Sequence, residues 1–415
     1  MSDRSDRDTT RPARTASIGL VLTTVALDAL GFGVVIPIVP SLVMKLEHVS
    51  AAQTSLWMGA LLAAFSVMQF LCAPLLGGLS DRFGRRPVLL AALAGMALDN
   101  LLLAWAPSVS WLFVGRVIAG ATAASYSTAT AYIADVTPPE QRAQRFGLVG
   151  AMFGLGFVVG PALGGLLGSY GLRLPFLVSA VLAGINFVFA ATLLPESLPQ
   201  GSRRTLSWGR SNPIGTLRVL GADADYRRLA VAWCANWFAL GVLQSAFVLA
   251  NNLRLGFTEL QNGLALTVMG VGSALVQGLL VRRIVPAIGE RRAALIGFAL
   301  TAGAYLAFTF AGSVAVLLLG VALQSLGAIN GPAIQSLLSV KAGSDEQGQL
   351  QGALASLQGL TAIVAPLAGS WVFSVSATPG TSFYHPGAPF LLGTLACLIA
   401  VGAIAAMREA APRPA

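Results

Sequence analysis

Twelve stretches of mostly apolar residues, each near the length that a bilayer requires, run through this 415-residue chain. A helix needs roughly 20 such residues to cross the hydrocarbon core. The predicted spans are 17–44, 55–79, 87–105, 110–133, 144–168, 174–194, 227–250, 260–282, 292–311, 314–338, 348–373 and 387–407. Only 10% of the residues are charged, whereas a soluble domain carries roughly 25%. The pattern predicts a polytopic membrane protein and excludes a soluble enzyme, a disordered chain and a secreted scaffold.

The basic residues are distributed unevenly between the two sets of loops. Of the 26 Lys and Arg, 22 lie in the two tails, in the loops that follow even-numbered spans or at the span ends next to those loops. Only Lys45, Arg173 and Arg254 lie in the opposite loops, and Arg116 lies within a span. Because positively charged loops stay in the cytoplasm, we expect both termini to be cytoplasmic. The net charge of +9 is explained by this topology, so we expect no nucleic-acid partner.

The chain repeats landmark residues at a constant offset of 205 positions. Gly84-Arg85-Arg86 aligns with Gly289-Glu290-Arg291, and Gly160-Pro161 aligns with Ala365-Pro366. We predict an N-terminal six-helix bundle (17–194) and a C-terminal six-helix bundle (227–407). A cytoplasmic linker (195–226) joins them, and the tails are 1–16 and 408–415. Two similar halves are a known transporter architecture, because they can alternate about a shared site.

Three motifs resemble those of one large family. The segment from Gly77 to Leu90 resembles the loop 2–3 motif of the major facilitator superfamily, and Leu112 to Ala124 resembles its helix 4 motif. Gly156 to Gly165 resembles the helix 5 motif of the antiporters in that superfamily. Over nearly the whole chain the sequence is most similar to the tetracycline/proton antiporters. The resemblance implies an all-α membrane protein of the bacterial inner membrane, with 12 transmembrane helices in two pseudo-symmetric six-helix bundles, the major facilitator fold.

Two acids, Asp28 and Asp99, lie well inside predicted spans, and the base Arg116 lies about one or two turns inside another. A charge at the bilayer centre costs ~2.5–3.5 kcal/mol, so such residues normally serve a function. A carboxyl whose surroundings change between two conformations can bind a proton in one and release it in the other. The resemblance matches all three residues to proton-coupling positions. The alternative is a permanent Asp–Arg pair that only fixes helix packing.

A second set of charged residues lies at the cytoplasmic ends of the spans. The resemblance implies a charge network that latches one conformation. Its members would be Gly77, Asp81, Arg85, Arg86, Asp135 and Arg142. The alternative is ordinary positive-inside topology, but an acid in a short basic loop has no topological reason to be there. In the second half Val285 and Pro286 replace the expected charged region, so we expect the latch to be asymmetric.

The fifth span carries small residues at helical spacings. The antiporter motif would comprise Gly156, Gly160, Pro161, Gly164 and Gly165. Small residues allow tight contact between membrane helices, and a proline allows a bend. Plain helix packing and a role in transport require the same geometry here, so the sequence leaves both interpretations open.

Polar residues that are too costly to expose to lipid predict a substrate cavity. The candidates are Gln69, Trp233, Asn236, Trp237, Gln244, Gln277, Gln324, Asn330, Gln335 and Gln358. Amides together with aromatic rings suit a bulky amphipathic ligand, although hydrogen bonds between helices are an alternative use of amides. The tetracycline antiporter pattern has an acid at the position of Thr301 and a histidine at that of Ser273. We therefore expect a less charged substrate than a tetracycline–metal chelate.

These observations predict a proton-coupled antiporter that exports an antibiotic or another toxic small molecule. We expect a monomer in the lipid bilayer that has no enzyme activity, metal site or cofactor and is driven by the proton motive force. Three alternatives remain open. They are a tetracycline exporter with an altered pocket, a proton-coupled metabolite symporter and a non-transporting membrane sensor or scaffold.

Overall fold

Long helices dominate the computed structural model of the chain, which describes residues 6–199, 201, 203, 223–341, 347–381 and 383–407. Their apolar sequences favour helices because a helix satisfies its backbone hydrogen bonds internally. The first seven are α1 (Asp6–Glu47), α2 (Ala51–Phe83), α3 (Arg85–Trp105), α4 (Val109–Thr122), α5 (Ser125–Val136), α6 (Pro139–Tyr170) and α7 (Leu174–Leu193). The others are α8 (Ala224–Leu255), α9 (Glu259–Leu275), a π-helical turn (Val276–Leu280), α10 (Val281–Ile288), α11 (Glu290–Thr309), α12 (Val314–Gly327), α13 (Asn330–Lys341), α14 (Gln347–Ser376) and α15 (Pro389–Ala405).

Ten helical segments of the described chain are long and apolar enough to cross a bilayer. Two predicted spans, 110–133 and 387–407, are not among these ten. The span predicted at 110–133 is divided into α4 and α5, and α15 has 17 residues. Every one of the twelve predicted stretches nevertheless contains helix, and the described ranges contain no strand. The all-α fold class is confirmed.

Hydroxyl side chains accompany the break between α4 and α5, which the apolar pattern did not predict. Thr122 donates its hydroxyl hydrogen to the Ile118 carbonyl at 2.9 Å, and Ser127 donates to the Ala124 carbonyl at 3.1 Å. Such bonds give backbone carbonyls an alternative to the helical ladder. The chain leaves the helix at Ala123 and resumes it at Ser125.

The repeat predicted from the sequence is also a structural repeat. Helices α3, α4 and α5 begin 205 residues before α11, α12 and α13, respectively. The break between α4 and α5 thus has a counterpart between α12 and α13. Gly84 and Gly289, which precede α3 and α11, both have positive φ angles, of 109° and 83°. The two halves accordingly share their local backbone path as well as their sequence landmarks.

Contacts divide the chain into two compact units. Unit 1 contains the described residues of Met1–His48, Ala64–Ser211 and Thr258–Thr267, and unit 2 contains those of Val49–Ala63, Asn212–Phe257 and Val268–Ala415. Helices α2 and α9 contribute to both units, so the unit borders differ from the predicted bundle borders, which stay a prediction. Helix α1 begins within the predicted N-terminal tail. Residues 1–5, most of the predicted linker and the predicted C-terminal tail (408–415) lie outside the described residues.

Each unit has its own apolar core. In unit 1, buried residues of α1, α3, α5, α6 and α7 form one cluster around the fully buried Tyr132. In unit 2, the ring of Phe308 packs edge-on against Phe247 at 5.5 Å and lies 5.7 Å from the ring of Phe390, with Tyr305 beside them. This aromatic cluster holds Tyr305 in place next to the cavity described below.

Candidate functional site

The helix 4 arginine forms a buried ion pair with an acid of α3. Arg116 Nε donates to Asp99 Oδ1 at 3.2 Å, and Arg116 Nη2 donates to the other carboxylate oxygen. The two residues are only 7% and 3% exposed. A Cβ on Gly115 would lie 2.6 Å from Asp99 Oδ1, so the glycine of this motif makes room for the carboxylate. The structure thus brings together two of the three residues predicted for proton coupling.

Asp28 of α1 differs from Asp99 because it makes no ion pair with any described residue. It is half-buried and lies near Ser125, at the start of α5, whose hydroxyl is buried without a hydrogen-bond partner. One turn further along α1, Gly31 lies against Met96 and Asn100. Asn100 was not predicted, yet its side-chain oxygen is buried without a hydrogen-bond partner. The surroundings of Asp28 are therefore polar, but no described basic side chain forms an ion pair with its carboxylate.

Three of the predicted latch residues form one charge network in unit 1. Arg85 Nη1 lies 2.6 Å from Asp81 Oδ1, and Arg85 Nε lies 3.1 Å from Asp135 Oδ2. Arg85 also donates to the hydroxyl of Ser80 at 3.0 Å. The guanidinium thus joins the end of α2, the start of α3 and the end of α5, as the motif resemblance implied.

Glu196, which sequence reasoning missed, completes this network. Its carboxylate accepts hydrogen bonds from the backbone N–H groups of Arg85, at 2.8 Å, and Arg86, at 3.2 Å. Because the first N–H groups of a helix lack partners, an acid at this place caps α3. Next to it, Ser197 donates to Asp135 at 2.9 Å. The only signal in the sequence was an acid just after the sixth span.

The remaining predicted latch residues make other contacts. Arg86 Nη2 donates to the carbonyl of Ala191, and Arg142 Nε donates to the carbonyl of Thr137 at 3.2 Å. Neither bond involves an acid. Gly77 has open space around the position of a Cβ, so close helix approach does not explain this glycine in the structure.

In the second half the arginine at 291 again bonds a backbone carbonyl, but an acid stands where the first half has Arg85. Arg291, the counterpart of Arg86, donates through Nη2 to the carbonyl of Ala405 at 2.8 Å. Glu290 occupies the position that corresponds to Arg85 and lies 3.5 Å from the hydroxyl of Ser336. The charge at this position is therefore reversed between the halves, and the asymmetry of the latch stays a prediction.

The glycines of the fifth span place α6 directly against α1. A Cβ on Gly160 would lie 2.7 Å from the Leu30 carbonyl oxygen and 2.8 Å from Gly33 Cα. A Cβ on Gly164 would lie 2.7 Å from the carbonyl oxygen of Val34. Gly156 makes a similar approach to α1. Residues spaced by four share one helix face, so these glycines form a continuous surface of α6 that packs against α1.

Another face of α6 contacts the beginning of α9, within unit 1. A Cβ on Gly165 would lie 2.5 Å from the Glu259 carbonyl oxygen, and Gly263 lies against Pro161. Thr267 donates its hydroxyl hydrogen to the Val158 carbonyl at 3.1 Å. The motif therefore allows close contact on two sides of one helix, which supports its packing role and leaves its role in transport a prediction.

A cavity of about 310 Å³ lies within unit 2. In the described part of the chain it is lined by Trp233, Asn236, Trp237, Ala239, Leu240, Gln277, Thr301, Tyr305, Gln324, Ala328, Asn330, Gly331, Pro332 and Gln335. Small-molecule sites typically occupy about 300–1,000 Å³ and combine apolar walls with a few polar groups. The cavity has this character.

Seven of the ten predicted substrate-binding residues line this cavity. The others, Gln69, Gln244 and Gln358, are not among its lining residues, and Gln69 is exposed. Tyr305 lines the cavity although it was not predicted, because its spacing assigns it to the apolar core. The geometry brings the predicted amides and aromatics together, and their role in binding stays a prediction.

Thr301 also lines the cavity, at the position where the tetracycline antiporter pattern has an acid. Its hydroxyl donates to the Gly297 carbonyl at 2.9 Å and accepts a bond of 3.4 Å from Asn330. The polar group at this position is thus hydrogen-bonded within the protein. Elsewhere, no cluster of three or more His, Cys, Asp or Glu side chains in the described ranges could hold a metal ion.

The comparisons with known proteins agree with these motifs. The family model of the Major Facilitator Superfamily matches residues 21–288 and 229–415. A class C tetracycline resistance protein of Escherichia coli is 39% identical over 86% of this chain and 90% of its own length. Multidrug resistance protein 2 of Bacillus subtilis is 30% identical over 86% of this chain and 88% of its own.

Solved structures show the same fold. A human organic anion transporter superimposes with a TM-score of 0.69 and 27% identity, covering 94% of this chain and 99% of that one. A nucleoside transporter superimposes with a TM-score of 0.75 at 13% identity, covering 95% of this chain and 99% of that one. At the latter identity the likeness concerns the fold alone.

Proposed function

The chain belongs to the major facilitator superfamily, and we propose that it is a proton-coupled antiporter that exports small organic compounds by alternating access. Its similarity to proteins named for tetracycline and multidrug resistance supports export of toxic compounds. We further propose that it works as a monomer in the bacterial inner membrane with both termini in the cytoplasm.

The contrast between Asp28 and Asp99 supports the proton-coupling part of this proposal. Asp99 is held by Arg116 in an ion pair, so the charge of that base has a partner. Asp28 has no base beside it, and it is next to a hydroxyl that can exchange a hydrogen bond with either protonation state. Asp28 is therefore the residue that binds and releases the transported proton. Asp99 and Arg116 supply the fixed charges around it.

The proton motive force is a sufficient energy source without a cofactor. One net charge that crosses ~100 mV yields ~2.3 kcal/mol. This energy supports a concentration gradient of roughly 40-fold, since ~1.4 kcal/mol corresponds to a factor of ten.

Inside-out membrane vesicles test the proposal. A pH gradient, acidic inside, should drive uptake of an exported compound, and addition of that compound should release protons. Asp28→Asn should abolish both signals because an amide does not carry a proton. Asp225→Asn is the control, because Asp225 pairs at the surface with Arg228 at 2.9 Å. Full gradient-driven uptake by Asp28→Asn would refute the assignment of the proton site.

Tetracycline is a second candidate substrate because of the 39% identity to a tetracycline resistance protein. The hydrogen-bonded Thr301 hydroxyl in the cavity supports an uncharged ligand instead. Uptake assays with tetracycline and magnesium, in parallel with uncharged antibiotics, separate the two candidates.

A further inference from the structure

Three residues that line the unit 2 cavity each have one polar side-chain atom that is buried without a hydrogen-bond partner. They are the indole nitrogen of Trp237, the hydroxyl of Tyr305 and the side-chain oxygen of Gln324. Buried polar groups in folded proteins nearly always have partners, and an unsatisfied one costs about 1–3 kcal/mol. Three such groups at one cavity indicate a place that is built for a hydrogen-bonding molecule.

Two other polar groups of the cavity wall have protein partners. The indole nitrogen of Trp233 donates to the carbonyl of Leu354 at 3.1 Å, and the hydroxyl of Thr301 is bonded as described above. Trp237 therefore differs from its neighbour Trp233, whose indole nitrogen is satisfied within the protein.

The surroundings hold these groups in place before any ligand arrives. The rings of Trp233 and Trp237 lie 6.0 Å apart in an edge-to-face arrangement, and Trp233 is fixed by its bond to Leu354. Tyr305 is fully buried against the rings of Phe308 and Phe390. Rigid partners reduce the entropy cost of binding, so the geometry suits a specific contact.

None of the lining residues in the described part of the chain is charged. A net charge on the ligand would lose its hydration in the cavity without gaining an opposite charge there. An aromatic ligand, by contrast, can pack against the two indole rings in an offset or edge-to-face manner.

We infer that this cavity binds an uncharged aromatic molecule that accepts a hydrogen bond from the Trp237 indole N–H and donates one to the Gln324 side-chain oxygen. The Tyr305 hydroxyl can serve as either donor or acceptor for a third polar group on the same molecule. The inference rests on the proposed export function, since it names the class of compound that is exported.

Direct binding to the purified full-length protein tests this inference. The probe is radiolabelled chloramphenicol, an uncharged aromatic amide with two hydroxyl groups. The comparison probes are tetraphenylphosphonium, a cation without hydrogen-bonding groups, and tetracycline with magnesium. We expect saturable binding of chloramphenicol that is tighter than that of either comparison probe.

Two variants remove one hydrogen-bonding group each and keep the volume similar. Trp237→Phe and Gln324→Met should each weaken chloramphenicol binding about tenfold, the effect expected for one lost hydrogen bond at a buried site. Trp371→Phe and Gln141→Met are the matched controls and should bind as the wild type does, because neither residue lines the cavity. The thermal unfolding temperature of each variant verifies that it is folded, and Tyr305→Phe provides a further single-atom test.

The inference is overturned if chloramphenicol does not bind saturably, if either comparison probe binds more tightly, or if Trp237→Phe and Gln324→Met bind as the controls do. The vesicle assay separates this outcome from a failure of the proposed function. Gradient-driven export of any compound, without saturable chloramphenicol binding, refutes only the inference. Saturable binding with the expected variants, but no gradient-driven transport of any probe, refutes only the proposed function.

Discussion

Arg116 pairs with both carboxylate oxygens of Asp99 in the interior of unit 1. Removing one member of a buried pair leaves an uncompensated charge and costs about 3–5 kcal/mol, whereas replacing both can be nearly neutral. The pair therefore differs in kind from Asp28, which has no base beside it. This difference leads to the first prediction.

Asp99→Asn should lower the thermal unfolding temperature of the purified protein, because it leaves the Arg116 charge without its partner. Asp28→Asn should leave that temperature unchanged or raise it. The double variant Asp99→Leu/Arg116→Met should recover most of the stability lost in Asp99→Asn. Equal unfolding temperatures for the two single variants would show that the pair does not stabilise unit 1.

Gly160→Leu should disrupt the contact between α6 and α1. The added side chain would meet the backbone of Leu30 and Gly33, and overpacking of this kind typically costs about 1–3 kcal/mol. Gly154→Leu is the control on the same helix, because there is open space around Gly154. Unfolding temperature and vesicle transport should both fall in the first variant only. If Gly160→Leu has the unfolding temperature and the transport rate of the wild type, the close contact between α6 and α1 contributes to neither.

Gly84→Ala should destabilise the turn before α3 more than Gly289→Ala destabilises the turn before α11. Both glycines have positive φ angles, of 109° and 83°, so alanine strains both backbones by about 1–2 kcal/mol. Only at Gly84 would the new Cβ also displace the carboxylate of Glu196, which caps α3. Comparing the unfolding temperatures of the two variants isolates the contribution of Glu196. If they lose the same stability, the cap contributes nothing.

Arg85→Gln should slow transport by about tenfold, within the usual range of conformational coupling energies. The variant removes the base that joins Asp81 and Asp135, whereas Arg82→Gln removes the same charge from the same loop. Arg82 lies over the ring of Phe83 at 5.1 Å and should tolerate the change. Initial uptake rates in vesicles, corrected for protein amount, measure the effect. Equal rates in both variants would assign Arg85 to topology rather than to a latch.

Much of the site was predictable because charges and amides in apolar spans are costly and rare. Asp28, Asp99 and Arg116 stand out for that reason, and Arg85 with its two acids followed from the motif. Glu196 was missed because nothing in the sequence shows that the chain after α7 returns to the start of α3. Tyr305 was missed because an aromatic residue in an apolar helix has the pattern of a core residue.

The sequence alone was sufficient to predict where the apolar helical stretches lie, the internal repeat and the residues whose polarity requires a protein environment. These properties follow from the composition of short segments, since a bilayer makes the same demands on every span. Only the tertiary structure decided which of those residues pair. In the folded protein Arg116 forms an ion pair with Asp99, whereas Asp28 forms none with a described residue. The indole nitrogen of Trp233 has a hydrogen-bond partner, whereas that of Trp237 has none. Hydrogen bonds and ion pairs depend on distances of a few ångströms between helices, and spacing along one helix does not determine these distances.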